Sequence, residues 1–255
     1  MNRIQEKLNQ NHKLLSIYFT AGYPKLHDTV EILQQLEQNG VDMVEIGLPF
    51  SDPLADGPTI QASSQTALKN GMTTELLFGQ LKDIRKTVSI PLIIMGYFNP
   101  VLQFGVEKFC AKCAEIGIDG LILPDLPLAE YEENYAEIFR KYNLINIFLI
   151  TPQTSEARVR QIDAASDGFI YMVSSASVTG SSSGFGTGQE AYFKRVASLQ
   201  LKNPLVVGFG INNADTFQQA TKHTAGAIIG SAFIKMLAEK GSAGISGFLK
   251  SIRGV

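Results

Sequence analysis

Short apolar runs recur along the chain at nearly even spacing. Each is followed by a turn and then by a stretch whose apolar residues return every three to four positions. The runs are Leu15 to Thr20, Met43 to Leu48, Pro91 to Tyr97, Gly120 to Pro124, Asn146 to Ile150, Gly168 to Ser174, Pro204 to Phe209 and Gly226 to Gly230. Several, such as Leu121-Ile122-Leu123 and Ile228-Ile229, lack polar alternation, as strands do when helices cover both faces of a parallel sheet. The helical stretches carry end signals. Asp28-Thr29-Val30-Glu31 has capping-box spacing with Asp28 as N-cap, and Asn39-Gly40 is a suitable stop. Thr154-Ser155-Glu156 and Asn213-Ala214-Asp215 mark further starts.

Eight such units in 255 residues leave about 32 residues each, the size of one strand–helix repeat. No linker, charge block or composition break divides them. The expected architecture is therefore α/β, one domain over residues 1–255 folded as a closed (β/α)8 TIM barrel. An open doubly wound sheet competes with it, but the chain lacks that fold's dinucleotide fingerprint.

Composition narrows the function classes. The chain is 45% hydrophobic and 18% charged, which suits an ordinary globular protein, and its net charge of −2 offers no footprint for nucleic acid or an anionic membrane. Met1-Asn2-Arg3-Ile4-Gln5 has no apolar core of signal-peptide length, and no run approaches the roughly 20 apolar residues of a membrane span. The expected location is the cytoplasm. The two cysteines form Cys110-Ala111-Lys112-Cys113, a spacing shared by redox pairs and half zinc sites. They fall with Phe109 and Ile116 on one helical face, and His12, His27 and His223 lie elsewhere in the sequence, so a buried packing role is expected.

In a barrel the strand C-terminal ends converge on one face, where the site lies. Thr20, Glu45, Asp56, Tyr97, Asp125 and Tyr171 fall there, with glycines after the seventh and eighth runs. No lysine or histidine does, which leaves a Schiff-base aldolase without its electrophile and weakens a metal-dependent one.

The segment Val44 to Thr59 stands out. Val44, Ile46 and Leu48 share one strand face, which puts Glu45 on the other with Met43 and Gly47. A lone carboxylate in an apolar strand is costly unless it has a task or a partner. Pro49, Pro53 and Pro58 stiffen the following loop and hold Asp52 and Asp56 on it. Two carboxylates aimed at a shared ligand are expected.

Val207-Gly208-Phe209-Gly210-Ile211 and Ile229-Gly230-Ser231-Ala232 end the last two runs, the recurring phosphate position of this fold. Their glycines either admit a ligand close to backbone N–H groups or merely ease tight turns. Ala232 to Met236 is expected to be the short helix whose N-terminus faces the phosphate. Residues 174–188 hold six serines and four glycines, either a lid that orders over ligand or a plain insertion.

These segments together resemble the tryptophan synthase alpha subunit family. The block Pro49-Phe50-Ser51-Asp52-Pro53-Leu54-Ala55-Asp56-Gly57-Pro58-Thr59-Ile60-Gln61 is long and specific. The Tyr171 run with Val178-Thr179-Gly180, then Gly208-Phe209-Gly210 and Gly230-Ser231, follow in the family's order. The resemblance implies retro-aldol cleavage of indole-3-glycerol phosphate to indole and glyceraldehyde 3-phosphate. It implies Glu45 as general acid–base and Asp56 as the carboxylate facing the indole N–H. Tyr171 would lie beside the substrate, with Tyr18, Met95, Tyr97 and Ile122 lining the ring pocket. Gly180, Phe209, Gly210, Gly230 and Ser231 would hold the phosphate, and Thr179 would touch the substrate. It implies no metal or cofactor in this chain. The partner would be a β subunit that carries pyridoxal phosphate, in an α2β2 assembly docked on Pro53 to Pro58 and on Phe98 to Phe104.

The chain departs from many relatives at Ser175-Ala176-Ser177, where they carry a basic residue and a glycine. A free-standing lyase, a phosphosugar isomerase and a phosphate-binding barrel remain the competing functions.

Overall fold

The computed structural model describes residues 1–174, 186–208 and 210–254. Period-two alternation decides the layering of its strands. In β1 (Leu14–Thr20), Leu15, Ile17 and Phe19 join a large apolar layer shared with the helices, whereas Leu14 and Tyr18 join a smaller inner cluster. β2 (Met43–Gly47) sends Val44 and Ile46 to the helical layer and Met43 inward. The same division holds in β3 (Leu92–Met95) and β4 (Gly120–Ile122), whose Ile93 and Ile122 turn inward.

The fifth run is one strand expected and two segments found. β5 (Ile145–Asn146) pairs with β4, and β6 (Leu149–Ile150) pairs with β7 (Ile170–Val173). Between them the Ile147 N–H still donates to Leu121 and the Phe148 carbonyl accepts from Tyr171. The strand hands over from one neighbour to the next along its length, as the stagger of a tilted, closing sheet requires. β8 (Leu205–Gly208) and β9 (Gly226–Ile229) complete a parallel sheet of order β5-β4-β3-β2-β1-β9-β8-β7-β6. Its two ends are consecutive in the chain, so the sheet is a barrel rather than an open doubly wound sheet.

A helix unforeseen in the sequence, Arg3–Leu8, closes the bottom of the barrel. Its cap Asn2 donates to the Asp119 and Asn143 carbonyls at 2.8 Å each, and Ile4 packs into the inner cluster. Gly120 and Gly168 face Ile4, where a Cβ at Gly120 would come within 2.8 Å of it.

The end signals fare unevenly. Asn213 and Ser155 cap their helices through their side chains, and Asn39 with Gly40 ends Asp28–Gln38. Asp28 is not a cap: it is the first helical residue, His27 precedes it, and Thr29 Oγ1 instead accepts the Gly22 N–H. Cys110 and Cys113 are buried on Val106–Ile116 beside Phe109, and burial pushes the Cys110 thiol up to about 12. They pack as small apolar groups. Among the described residues, no helix is long and apolar enough to cross a membrane.

Candidate active site

Glu45 sits in the middle of β2, in register with Tyr18 on one side and Ile93 on the other, fully buried. Alternation alone puts it inside the barrel, because Val44 and Ile46 satisfy the helical layer. An ionised carboxylate there costs several kcal/mol in lost hydration. Burial accordingly raises its pKa to about 8, and a hydrogen bond donated by Ser16 only partly opposes the shift. Ser16 Oγ lies 3.3 Å from Oε1, while Oε2 is buried with no hydrogen-bond partner among the described residues.

Two buried phenols interact electrostatically with this carboxyl. A Cβ at Gly47 would collide with the Tyr18 phenol, and one at Gly208 with the Tyr171 phenol. The bare backbone at the end of each next strand is what lets each ring lie over that strand. Burial raises both phenols' pKa values first, with Glu45 and Asp56 adding to the effect. Gly208 was expected either to admit a ligand close to backbone N–H groups or to ease a tight turn. Its open space is filled by Tyr171 instead, so Gly208 serves the tyrosine.

Asp56 is held from the side. After β2 the chain runs out to Leu54, which is 90% exposed, and returns to Pro58 at the first turn of helix Pro58–Lys69. Tyr97 latches this excursion. Its hydroxyl accepts the Ala55 N–H at 2.9 Å and donates to Asp56 Oδ2 at 3.3 Å. Its ring stacks on Phe50 with centroids 5.0 Å apart. Gln61 reaches back to the Asp56 carbonyl at 2.8 Å. Burial raises the Asp56 pKa to about 6, and the Tyr97 hydrogen bond holds it from rising further.

A narrow pocket opens between these parts, lined by Tyr18, Leu48, Phe50, Asp56, Met95 and Tyr97. Ile122 and Tyr171 belong to the inner cluster beneath it. Leu48 and Phe50 were missed as lining residues, although both stand in the block that flagged the site. Two strand-end residues serve structure. Asp125 accepts the Phe98 N–H at 2.8 and 3.1 Å and so caps helix Phe98–Phe104, and Thr20 hydrogen-bonds Ser63 at 2.6 Å.

On the far side of the mouth, Gly210 takes a φ of +79°, which favours glycine. Gly230 precedes helix Ser231–Lys240, longer than the short helix expected there. The first-turn N–H groups of a helix have no intrahelical acceptor, so this end suits an anion. Gly230 also packs on Tyr18, whose ring a Cβ would meet at 3.3 Å. Thr179, Gly180 and Phe209 lie outside the described residues, as does most of the serine–glycine stretch. Its tail is described and is not loop: helix Thr187–Ala197 starts within it. Among the described residues no group of three or more His, Cys, Asp or Glu is placed to hold a metal.

Comparison with known proteins agrees with this geometry. The sequence profile of the family described as "Tryptophan synthase alpha chain" matches residues 4–250. The tryptophan synthase alpha chain of Flavobacterium johnsoniae is 69% identical over 253 residues, covering 99% of this chain and 100% of that one. The crystal structure of tryptophan synthase subunit alpha from Legionella pneumophila superposes with a TM-score of 0.90 at 33% identity, covering 100% and 98%. A chain of the tryptophan synthase complex from Pyrococcus furiosus gives 0.85 at 32% identity, covering 95% and 98%. A buried strand carboxyl, a tyrosine-latched aspartate and near full-length likeness at this identity lead to one conclusion: this chain belongs to the tryptophan synthase alpha chain family.

Proposed function

We propose that this chain cleaves indole-3-glycerol phosphate to indole and glyceraldehyde 3-phosphate, with Glu45 as general acid–base and Asp56 as the partner of the indole N–H. The observation that carries the reading is the pair of carboxyls with separated titration. Glu45 is raised to about 8 and Asp56 to about 6, so at neutral pH one holds a proton and the other is mostly a carboxylate. Retro-aldol cleavage needs both forms at once.

Glu45 gives its proton to C3 of the indole ring, which places positive charge on the ring nitrogen. Asp56 accepts a hydrogen bond from that N–H and stabilises the charge. The Glu45 carboxylate then takes the proton of the glycerol hydroxyl as the carbon–carbon bond breaks. Glu45 ends protonated again, and the bond's electron pair restores the indole. Tyr18, Met95, Tyr97 and Ile122 enclose the ring, with Tyr171 beside it, and exclude water. Gly210, Gly230 and Ser231 hold the phosphate through main-chain N–H groups, together with Gly180 and Phe209, and Thr179 touches the substrate.

The family implies a β-subunit partner, and in the proposed function the chain is one α subunit of an α2β2 assembly in the cytoplasm, acting as a single domain. Pyridoxal phosphate belongs to that partner in this reading. Docking draws on Leu54 and on Leu102, which is 50% exposed. Most of the second surface expected from the sequence is already engaged. Val101 is buried, Phe104 packs edge-on to Phe78 and Phe109, and Phe98 packs on Tyr135.

The test is indole release by two isosteric variants. Glu45→Gln lowers turnover by ~10²-fold or more with substrate binding retained, and Asp56→Asn also loses most activity. Turnover of Glu45→Gln at the wild-type rate would overturn the role of Glu45.

A further inference from the structure

Ser16 points into the barrel one pleat below Glu45. It is in register with Met43 and Ile228, and Tyr18, two residues on, is the register partner of Glu45. That makes Ser16 the diagonal neighbour of Glu45 across the β1–β2 ladder. It is fully buried among Leu14, Met43 and Ile228, where an alanine would pack as well and leave no polar atom. Its hydroxyl makes one bond to Glu45, and that bond divides the carboxyl's two oxygens: among the described residues, Oε1 has a partner and Oε2 has none.

We infer that Ser16 is a positioning residue for Glu45, fixing Oε1 from below so that the exchangeable proton is carried on Oε2, the oxygen turned to the substrate. The inference rests on Glu45 being the general acid–base. A carboxyl whose Oε1 accepts from Ser16 keeps its own proton on the other oxygen, where no group among the described residues competes for it. When Glu45 is ionised the same bond is charge-assisted and stronger, so Ser16 favours the carboxylate and opposes the effect of burial. The other titratable groups that act within this cluster are Tyr18 on β1, Tyr171 on β7 and Asp56 on the loop after β2.

Removing the donor has a defined sign. In Ser16→Ala the ionised form loses the hydrogen bond that Ser16 donates, so Glu45 titrates higher, by about one pH unit. The proton is also no longer confined to Oε2, so kcat at neutral pH falls by about tenfold while KM changes little, a part of the ~10²-fold that general acid–base catalysis supplies. Because the reaction starts with Glu45 protonated, the alkaline limb of the kcat profile moves to higher pH.

Infrared titration of the purified chain reads the protonated carboxyl directly, with Glu45→Gln assigning the band. Ser16→Thr and Ser16→Val share one shape and differ only in the hydroxyl, which separates the hydrogen bond from packing. The expected result is a Glu45 midpoint near wild type in Ser16→Thr and raised in Ser16→Val and Ser16→Ala. An unchanged midpoint in Ser16→Ala, or Ser16→Thr and Ser16→Val titrating together, would overturn the inference. The infrared midpoint reports the Ser16 bond whether or not Glu45 moves a substrate proton. Failure of the catalytic reading would instead leave the midpoints shifted and the activity profile unmoved.

Discussion

Glu45 is stabilised in its neutral form by burial, and that leaves a mark on stability as well as on chemistry. Its folded pKa is near 8 against an ordinary value of 4.5. Between those two pH values the folded chain holds a proton that the unfolded chain has released, so this group's contribution to stability declines as pH rises through the window and then levels. Glutamine has no such term. Glu45→Gln is therefore expected to gain in thermal midpoint relative to wild type between pH 5 and pH 9. An equal difference at both pH values would contradict the burial account. At this scale the sequence was informative where a residue broke its local pattern. Glu45 stood out as one carboxylate in an apolar strand. Ser16 did not, because a serine in a strand is ordinary until its partner, 29 residues away, is known. Gly208 is legible as special, but what makes it so on the Cβ side, the Tyr171 ring, comes from a neighbouring strand and leaves no local signal.

The strand–loop–helix unit from Met43 to Lys69 behaves as one element with a latch. Pro58 sets the start of its helix, Gln61 ties back to the loop, and Tyr97 from after β3 holds Ala55 and Asp56 together. Tyr97→Phe keeps the stack on Phe50 and removes both hydrogen bonds. Asp56 then loses the group that restrains its pKa, so it titrates above about 6 and a larger share is protonated at neutral pH. We expect kcat to fall by about tenfold, most steeply toward acid pH, as measured by indole release across a pH series. A profile with the wild-type acid limb would show that the latch does not tune Asp56. The element itself was largely legible, because prolines and alternation are local signals. The latch was not, since Tyr97 was read only as lining. Asp28 shows the limit of local rules: its capping spacing was sound, but the chain entered the helix one residue earlier, at His27.

At the scale of the molecule, an eightfold strand–helix pattern was enough to expect a barrel, and closure follows from a strand that shares its pairing between β4 and β7. The bottom helix escaped notice because it is only six residues long, and just one buried side chain, Ile4, with half-buried Leu8 beside it, carries its contact with the interior. The mouth presents Leu54 at the tip of the loop that carries Asp56, so a partner seated there would act directly on the carboxylate proposed to face the indole N–H. Leu54→Asp is expected to leave the thermal midpoint within a degree or so of wild type, since exposed substitutions change stability little, and to abolish activation by the β subunit. Equal activation of wild type and variant would move docking elsewhere. The most direct measurement is indole and glyceraldehyde 3-phosphate formation by the purified chain given indole-3-glycerol phosphate, with and without the cognate β subunit. Equal amounts of the two products are expected, slowly from the chain alone and faster with its partner. Absence of indole in both cases, from a folded chain, would contradict the proposed cleavage.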